Sequence, residues 1–312
     1  MLKKIKNLLL DMLYSQSGSA LLTFCIMLLL CIFGSLNKAI FLSSNLALLP
    51  ILLICFGAPF FIFWISRGGK KYIPSAHLEL PKRMHFPTII LSAAFLMLGN
   101  ALIKILIFDY KYTEFDLYNI FFAHRDGNLF NDLYLVLAFC IVPPIFEAII
   151  FRAAVIKEHS KRSRLVCTLF SSLLYSLLGF SFDQILPRFF TGVMLCIVLF
   201  ATESIAITVA IHIAYNFFAV FVEPTIVSIK SVSASYELFT FILAILTFAV
   251  CTLLLSHLSR LYRKYSKSRF GESFVKSTPR ERAFWQFAEL ATSIPALACY
   301  VLFLIISMIL QV

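Results

Sequence analysis

Pro143-Pro144-Ile145-Phe146-Glu147-Ala148-Ile149-Ile150-Phe151-Arg152 is the stretch on which the reading of this chain turns. It lies inside an apolar run from about Leu133 to Ile156, long enough to cross a bilayer as a helix. A carboxylate or a guanidinium at the centre of a bilayer costs roughly 2.5–3.5 kcal/mol on insertion scales. Ionisable groups kept at such depth turn toward protein or water and mark functional positions, so Glu147 predicts a partner elsewhere in the chain. Pro143 and Pro144, one turn earlier, remove backbone donors. Carbonyls freed in this way are tolerated in a membrane where they face protein or a wet cavity.

Working outward, the composition agrees with a membrane segment. Hydrophobic residues make up 61% of the 312 residues and charged residues 14%, against about 25% charged in a soluble domain. The apolar runs are continuous and close to twenty residues, not alternating segments of about ten, which excludes a barrel. The fold class is therefore all-α, a polytopic transmembrane helix bundle. About nine spans fit the length: Ala20–Ser35, Leu46–Ile65, Pro87–Phe108, Leu133–Ile156, Leu165–Phe180, Leu186–Ala201, Ser204–Phe221, Tyr236–Leu258 and Phe284–Ile309. Residues 1–15 read as a basic amphipathic stretch at the membrane surface. The chain divides into 1–132 with spans one to three, 133–222 with spans four to seven, and 223–312 with the last two spans and a basic connector.

The net charge of +11 does not point to nucleic acid, because of where the charges fall. With the N-terminus in the cytosol, twenty of the 27 basic residues lie on predicted cytosolic segments: before residue 7, over 67–83, over 157–164 and over 260–282. That is the positive-inside bias, and it orients nine spans N-in and C-out in a cell membrane. The same patches suit contact with anionic lipid. The eight cysteines all fall in apolar runs without a CxxC pair and read as small buried hydrophobes. Lys104 and Arg188 lie near expected outer span ends, where long cationic side chains snorkel.

The partner for Glu147 is found in Ile211-His212-Ile213-Ala214-Tyr215-Asn216. His212 and Asn216 are four apart and share a helix face. In a helix rising about 1.5 Å per residue, Glu147 lies roughly 15 Å from Lys157 and His212 roughly 14 Å from Glu203. Two helices of opposite direction thus place a carboxylate and an imidazole at matching depth, with room expected for a shared water in a cytosol-facing cavity. Arg152 is five residues after Glu147, off its face by more than a third of an α-helical turn. It reads as a group that neutralises another side chain or snorkels. The plain alternative for His212 and Asn216 is interhelical hydrogen bonding.

The order of these motifs, with Ser171 to Gly179, Phe190-Thr191-Gly192 and Thr202 to Ile205 between them, resembles the CPBP family of intramembrane proteases, the Abi or CAAX-protease family that includes type II CAAX prenyl endopeptidases. The resemblance covers about 133–222. The family pattern is Glu-Glu-x-x-x-Arg, an aromatic followed four residues later by His, then His-x-x-x-Asn. Glu147, Arg152, His212 and Asn216 match, and Tyr175 keeps the aromatic position. Ala148 stands where the family has its second Glu, and Gly179 where it has its first His. The resemblance implies that Glu147 is the general base activating a water, that His212 orients the water or donates a proton, and that Asn216 holds the oxyanion. It also implies metal dependence, but a catalytic zinc usually takes three protein ligands, and this ligand set is incomplete.

Three functions remain in view. The first is an endopeptidase acting on a peptide, a lipidated tail or a membrane-protein substrate. The second is an inactive pseudoprotease scaffold that binds or regulates an envelope or membrane protein. The third, a proton-coupled transporter, is disfavoured because no inverted repeat of spans is visible.

Overall fold

The computed structural model describes residues 18–40, 47–67, 85–107, 117–232, 236–265 and 280–310. The expected amphipathic stretch 1–15 lies outside the described residues, as do most of the basic loop 67–83, much of the acidic loop after 108 and the middle of the basic connector. Among the described residues the chain is helical throughout, without a strand.

Helices α1 (Gly18–Ile40), α2 (Leu48–Ser66) and α3 (Phe86–Leu106) precede a short α4 (Leu117–Ala123). The long α5 (Leu129–Glu158) follows, then α6 (Arg164–Ser176) with a 3-10 turn at Leu177–Gly179. Next come α7 (Phe182–Thr202), α8 (Ile205–Phe221), α9 (Glu223–Val232), α10 (Tyr236–Tyr265), α11 (Arg280–Ala291) and α12 (Ile294–Leu310). Five helices are long and apolar enough to cross a membrane, and the count rises to seven if the bent pairs α8–α9 and α11–α12 each make one span. The apolar parts of α1 and α6 are shorter. This is a multi-pass helical membrane protein.

The helices differ in what they bury. Within the span of α7, 61% is enclosed by protein, against 11% for α10. Because lipid tails are as apolar as leucine, a lipid-facing helix can keep its hydrophobic residues exposed, and Leu238, Phe241, Phe248 and Leu253 of α10 do so. Helices α5 to α8 form the inner layer. Close approach there relies on small residues: a Cβ added at Gly192 of α7 would stand 2.9 Å from the Ser172 backbone of α6.

The turns that order this layer are short and capped. Ser163 and Ser204 accept from the backbone N–H groups of Val166 and Ile207, at 3.3 and 3.4 Å, as N-caps should. Glu203, between α7 and α8, takes a left-handed conformation with φ 54°. That lets the chain reverse within two residues, so α7 and α8 run antiparallel beside α5.

Two charged contacts also pin the bundle. Arg67 after α2 pairs with Glu158 at the end of α5, which also accepts from the Ser19 backbone N–H of α1 at 2.8 Å. Lys104 of α3 reaches Glu223 at the α8–α9 break at 2.6 Å, and both side chains are buried. The snorkelling expected of Lys104 is therefore corrected: a carboxylate from a neighbouring helix holds the ammonium inside the protein.

Candidate active site

Helix α5 is not a regular α-helix. It widens into π-helical turns at Val136–Ile141 and again at Ala148–Val155, on either side of the prolines and Glu147. A proline ring clashes with the carbonyl four residues back, and a turn with i→i+5 bonding makes room for it. The Val142 N–H bonds back to Leu137 O in this manner. Pro143 and Pro144 have no N–H to offer Phe139, so its carbonyl lacks both the i+4 and the i+5 donor. The Asn216 side-chain amide supplies one instead, donating to Phe139 O at 3.3 Å. The kinked helix and the helix bearing the histidine are stitched together at the carbonyl the prolines leave open.

One turn further on, Glu147 Oε2 and His212 Nε2 lie 3.4 Å apart, both buried. The expected meeting of carboxylate and imidazole takes place, but as a direct contact with no water between them. The Tyr175 hydroxyl of α6 is 3.2 Å from the same ring nitrogen, and the two rings meet edge to face at 5.9 Å. Nε2 thus either donates to the carboxylate or accepts from the phenol. Glu147 Oε1 makes no hydrogen bond among the described residues, and 8% of the side chain stays exposed. The carboxylate thus keeps a small edge open to a water or a substrate.

Arg152 neither snorkels nor lies off to one side. The second π-turn carries residue i+5 back under residue i, so the guanidinium is 1% exposed and its Nη1 reaches Glu147 O at 3.4 Å. Its carbon stands 4.4 Å from the centre of the Tyr175 ring, a cation–π contact that offsets part of the burial cost. Arg188 of α7 approaches the other members of the group, with its guanidinium carbon 5.9 Å from the same ring. It was expected as an outer anchor. It is instead half-buried beside the site, and its charge bears on Glu147 and His212 together with that of Arg152.

Two positions depart from the family pattern, and the structure gives each a setting. Ala148 belongs to an apolar cluster with Cys196, Leu199 and Ile205. Gly179 ends the turn after α6, and Gln184 and Arg188 fill the space a side chain would need. Of the residues sequence reasoning named, the fold brings Glu147, His212 and Arg152 together, while the Asn216 amide, one turn along α8, is turned to the Phe139 carbonyl. Sequence reasoning missed Tyr175 and Arg188 as members. The available signals were a phenol in the aromatic position of the second motif and a cation inside an expected span.

A metal fits this group poorly. Glu147 and His212 are two donors, Asn216 turns its NH₂ toward a carbonyl, and among the described residues no three His, Cys, Asp or Glu side chains cluster as a ligand set. A catalytic zinc needs about three protein ligands.

A carboxylate, an imidazole and a phenol thus meet in the interior of the helix bundle, flanked by two guanidiniums. Residues 129–218 match the family described as type II CAAX prenyl endopeptidase Rce1-like. The match supports a CAAX-protease-type domain in the segment from α5 to α8. No curated protein and no solved structure matches the chain.

Proposed function

We propose that this chain is an intramembrane endopeptidase of the CAAX-protease type that hydrolyses a peptide bond in a peptide or lipidated tail. The observation that carries the reading is the 3.4 Å contact between Glu147 and His212 from antiparallel helices, within the Rce1-like segment. Glu147 Oε1 takes a proton from a water, the water oxygen bonds to the scissile carbonyl carbon, and the C–N bond then breaks as the proton passes to the leaving amine. His212 Nε2–H is directed at Oε2 and fixes the carboxylate, and the Tyr175 ring, edge to face against the imidazole, fixes its orientation. Asn216 has a second amide hydrogen beyond the one given to Phe139, and it is the donor nearest in kind to an oxyanion-hole group.

The membrane setting extends this proposal. Helices α1 and α6 cross as well, giving nine spans with the N-terminus inside and the C-terminus outside. Ser19, Arg67, Glu158 and Arg162 gather at one end of the bundle, which supports that alternation. The basic segments then face the cytosol of a cell membrane, and the substrate enters from the inner leaflet.

A second reading, a catalytically silent scaffold, draws support from the Asn216 amide being engaged by Phe139 and from Gly179 in place of a side chain. One experiment separates the two. Purified protein in detergent is given a peptide library with free and lipidated termini. Cleavage that falls at least about 100-fold in Glu147→Gln, the lower range for a general base, supports the hydrolase. Cleavage that survives Glu147→Gln and His212→Ala refutes it. Absent cleavage with a cellular phenotype indifferent to both substitutions establishes the scaffold.

A further inference from the structure

Helix α11 differs in kind from the helix it leads into. Arg280, Glu281, Arg282 and Glu289 put four charges into its twelve residues, whereas the seventeen of α12 carry none. Four charges within about three turns do not rest in hydrocarbon. The two helices meet at a 60° bend, with Thr292 and Ser293 between them. Pro295 has no N–H for the Ala291 carbonyl, so it stops α11 and suits the first turn of α12. Spans cross a bilayer near its normal, and with α12 doing so the bend leaves α11 nearer the membrane plane.

Three faces run along α11. Ala283, Phe287 and Leu290, at i, i+4 and i+7, pack into the apolar cluster around α1 and α6. Arg282, Gln286 and Glu289 form a polar flank. There Arg162, in the turn after α5, donates to both Glu289 carboxylate oxygens at 3.0 and 3.2 Å and to Gln286 O at 3.1 Å. The third flank holds Phe284, Trp285 and Ala288. Phe284 and Trp285 are 64% and 70% exposed, with their rings edge to face at 5.6 Å. One side on protein, one polar and one aromatic is the pattern of a helix lying in a membrane interface, and tryptophan favours the headgroup level. Charge says which lipid fits. Residues 260–282, which lead into α11, hold eight Lys and Arg against two Glu. Arg280 and Arg282 fall in the first helical turn, where the helix dipole disfavours cations. An anionic surface offsets that cost.

We propose that α11 is an in-plane helix that seats Phe284 and Trp285 among the lipid headgroups of one leaflet and binds anionic phospholipid through Arg282 and the basic residues before it. The last span then begins at Ile294 and not at Phe284. Lipid binding here is independent of peptide hydrolysis.

The chain has two tryptophans, so Trp64→Phe isolates the fluorescence of Trp285. The full-length variant is reconstituted in phosphatidylcholine vesicles with brominated lipids as quenchers. Bromines near the headgroup end of the acyl chain should quench Trp285 more strongly than bromines near its methyl end. At equal mole fraction, brominated phosphatidylglycerol should be preferred over brominated phosphatidylcholine by about fivefold, the ratio one surface cation supplies. Arg280→Gln with Arg282→Gln should lower that ratio toward one and leave the depth unchanged. Stronger quenching from the methyl end would put α11 inside the span and overturn the proposal. Quenching by aqueous acrylamide but by neither lipid overturns it as well, and equal quenching by the two headgroups overturns the anionic preference. Should Trp64→Phe fail to fold, hydrogen exchange on the wild-type chain decides. Amides of α11 should exchange more slowly in phosphatidylglycerol nanodiscs than in phosphatidylcholine ones, and identical exchange refutes the binding.

Discussion

Asn216 offers the sharpest test of how the site is built. Its amide donates at 3.3 Å to a buried carbonyl, that of Phe139, which two consecutive prolines leave without a backbone donor. Asn216→Ala should strand that carbonyl, and an unsatisfied buried acceptor costs about 1–3 kcal/mol. The cost should shrink when the backbone donors are restored by Pro143→Ala with Pro144→Ala, because a peptide N–H then reaches Phe139. A double-mutant cycle read by thermal unfolding in micelles isolates this term. The expected coupling is about 1 kcal/mol or more, well above the roughly 0.3–0.5 kcal/mol by which independent sites fail to add. If Asn216→Ala costs the same in both backgrounds, the stitch between α5 and α8 is not what the amide provides. An activity loss in Asn216→Ala without any stability loss would point the same way, toward a purely chemical role.

Other outcomes follow from the packing. Gly192→Ala should destabilise by about 1–3 kcal/mol through overpacking against the Ser172 backbone, whereas Gly57→Ala, with its nearest contact at 3.9 Å, should be close to neutral in the same unfolding assay. Lys104→Met removes the 2.6 Å cation of a fully buried Glu223 and should cost about 3–5 kcal/mol, with Lys104→Met/Glu223→Leu recovering most of it. His159, in the turn after α5, is pushed down to about 3 by burial, with Arg162 and Arg67 adding to the effect. The unfolded chain therefore binds the extra proton first, so stability is full above pH 6.5 and falls as the pH drops from there toward 3. Unfolding midpoints measured across that range should show the fall, and His159→Gln should flatten it.

Much of the site could be read from residue order. Glu147 and His212 were paired through depth alone: a fixed rise per residue and known span ends leave a carboxylate and an imidazole on antiparallel helices at the same level. Arg152 shows the limit of that arithmetic. At α-helical pitch it lies well off the Glu147 face, but the π-turn over Ala148–Val155 brings it underneath. The prolines signal a disturbed helix, but not which way the disturbance turns the residues after it. Lys104 and Arg188 were misplaced for a related reason. A cation near a span end snorkels if it faces lipid and pairs or lines a site if it faces protein, and the sequence does not give the rotation of α3 or α7 about its axis.

By itself, then, the sequence determined the solvent this chain folds in, the helical class, the placement of its apolar segments and the level at which its acidic and imidazole groups lie. These are one-dimensional quantities, set by hydropathy and by rise per residue. The tertiary structure decided which side chains touch: Tyr175 against His212, Asn216 on the Phe139 carbonyl, Arg188 across Gly179. Those contacts depend on helix rotation, on π-turns and on how closely small residues let backbones approach, and such angular quantities are fixed only when the helices pack.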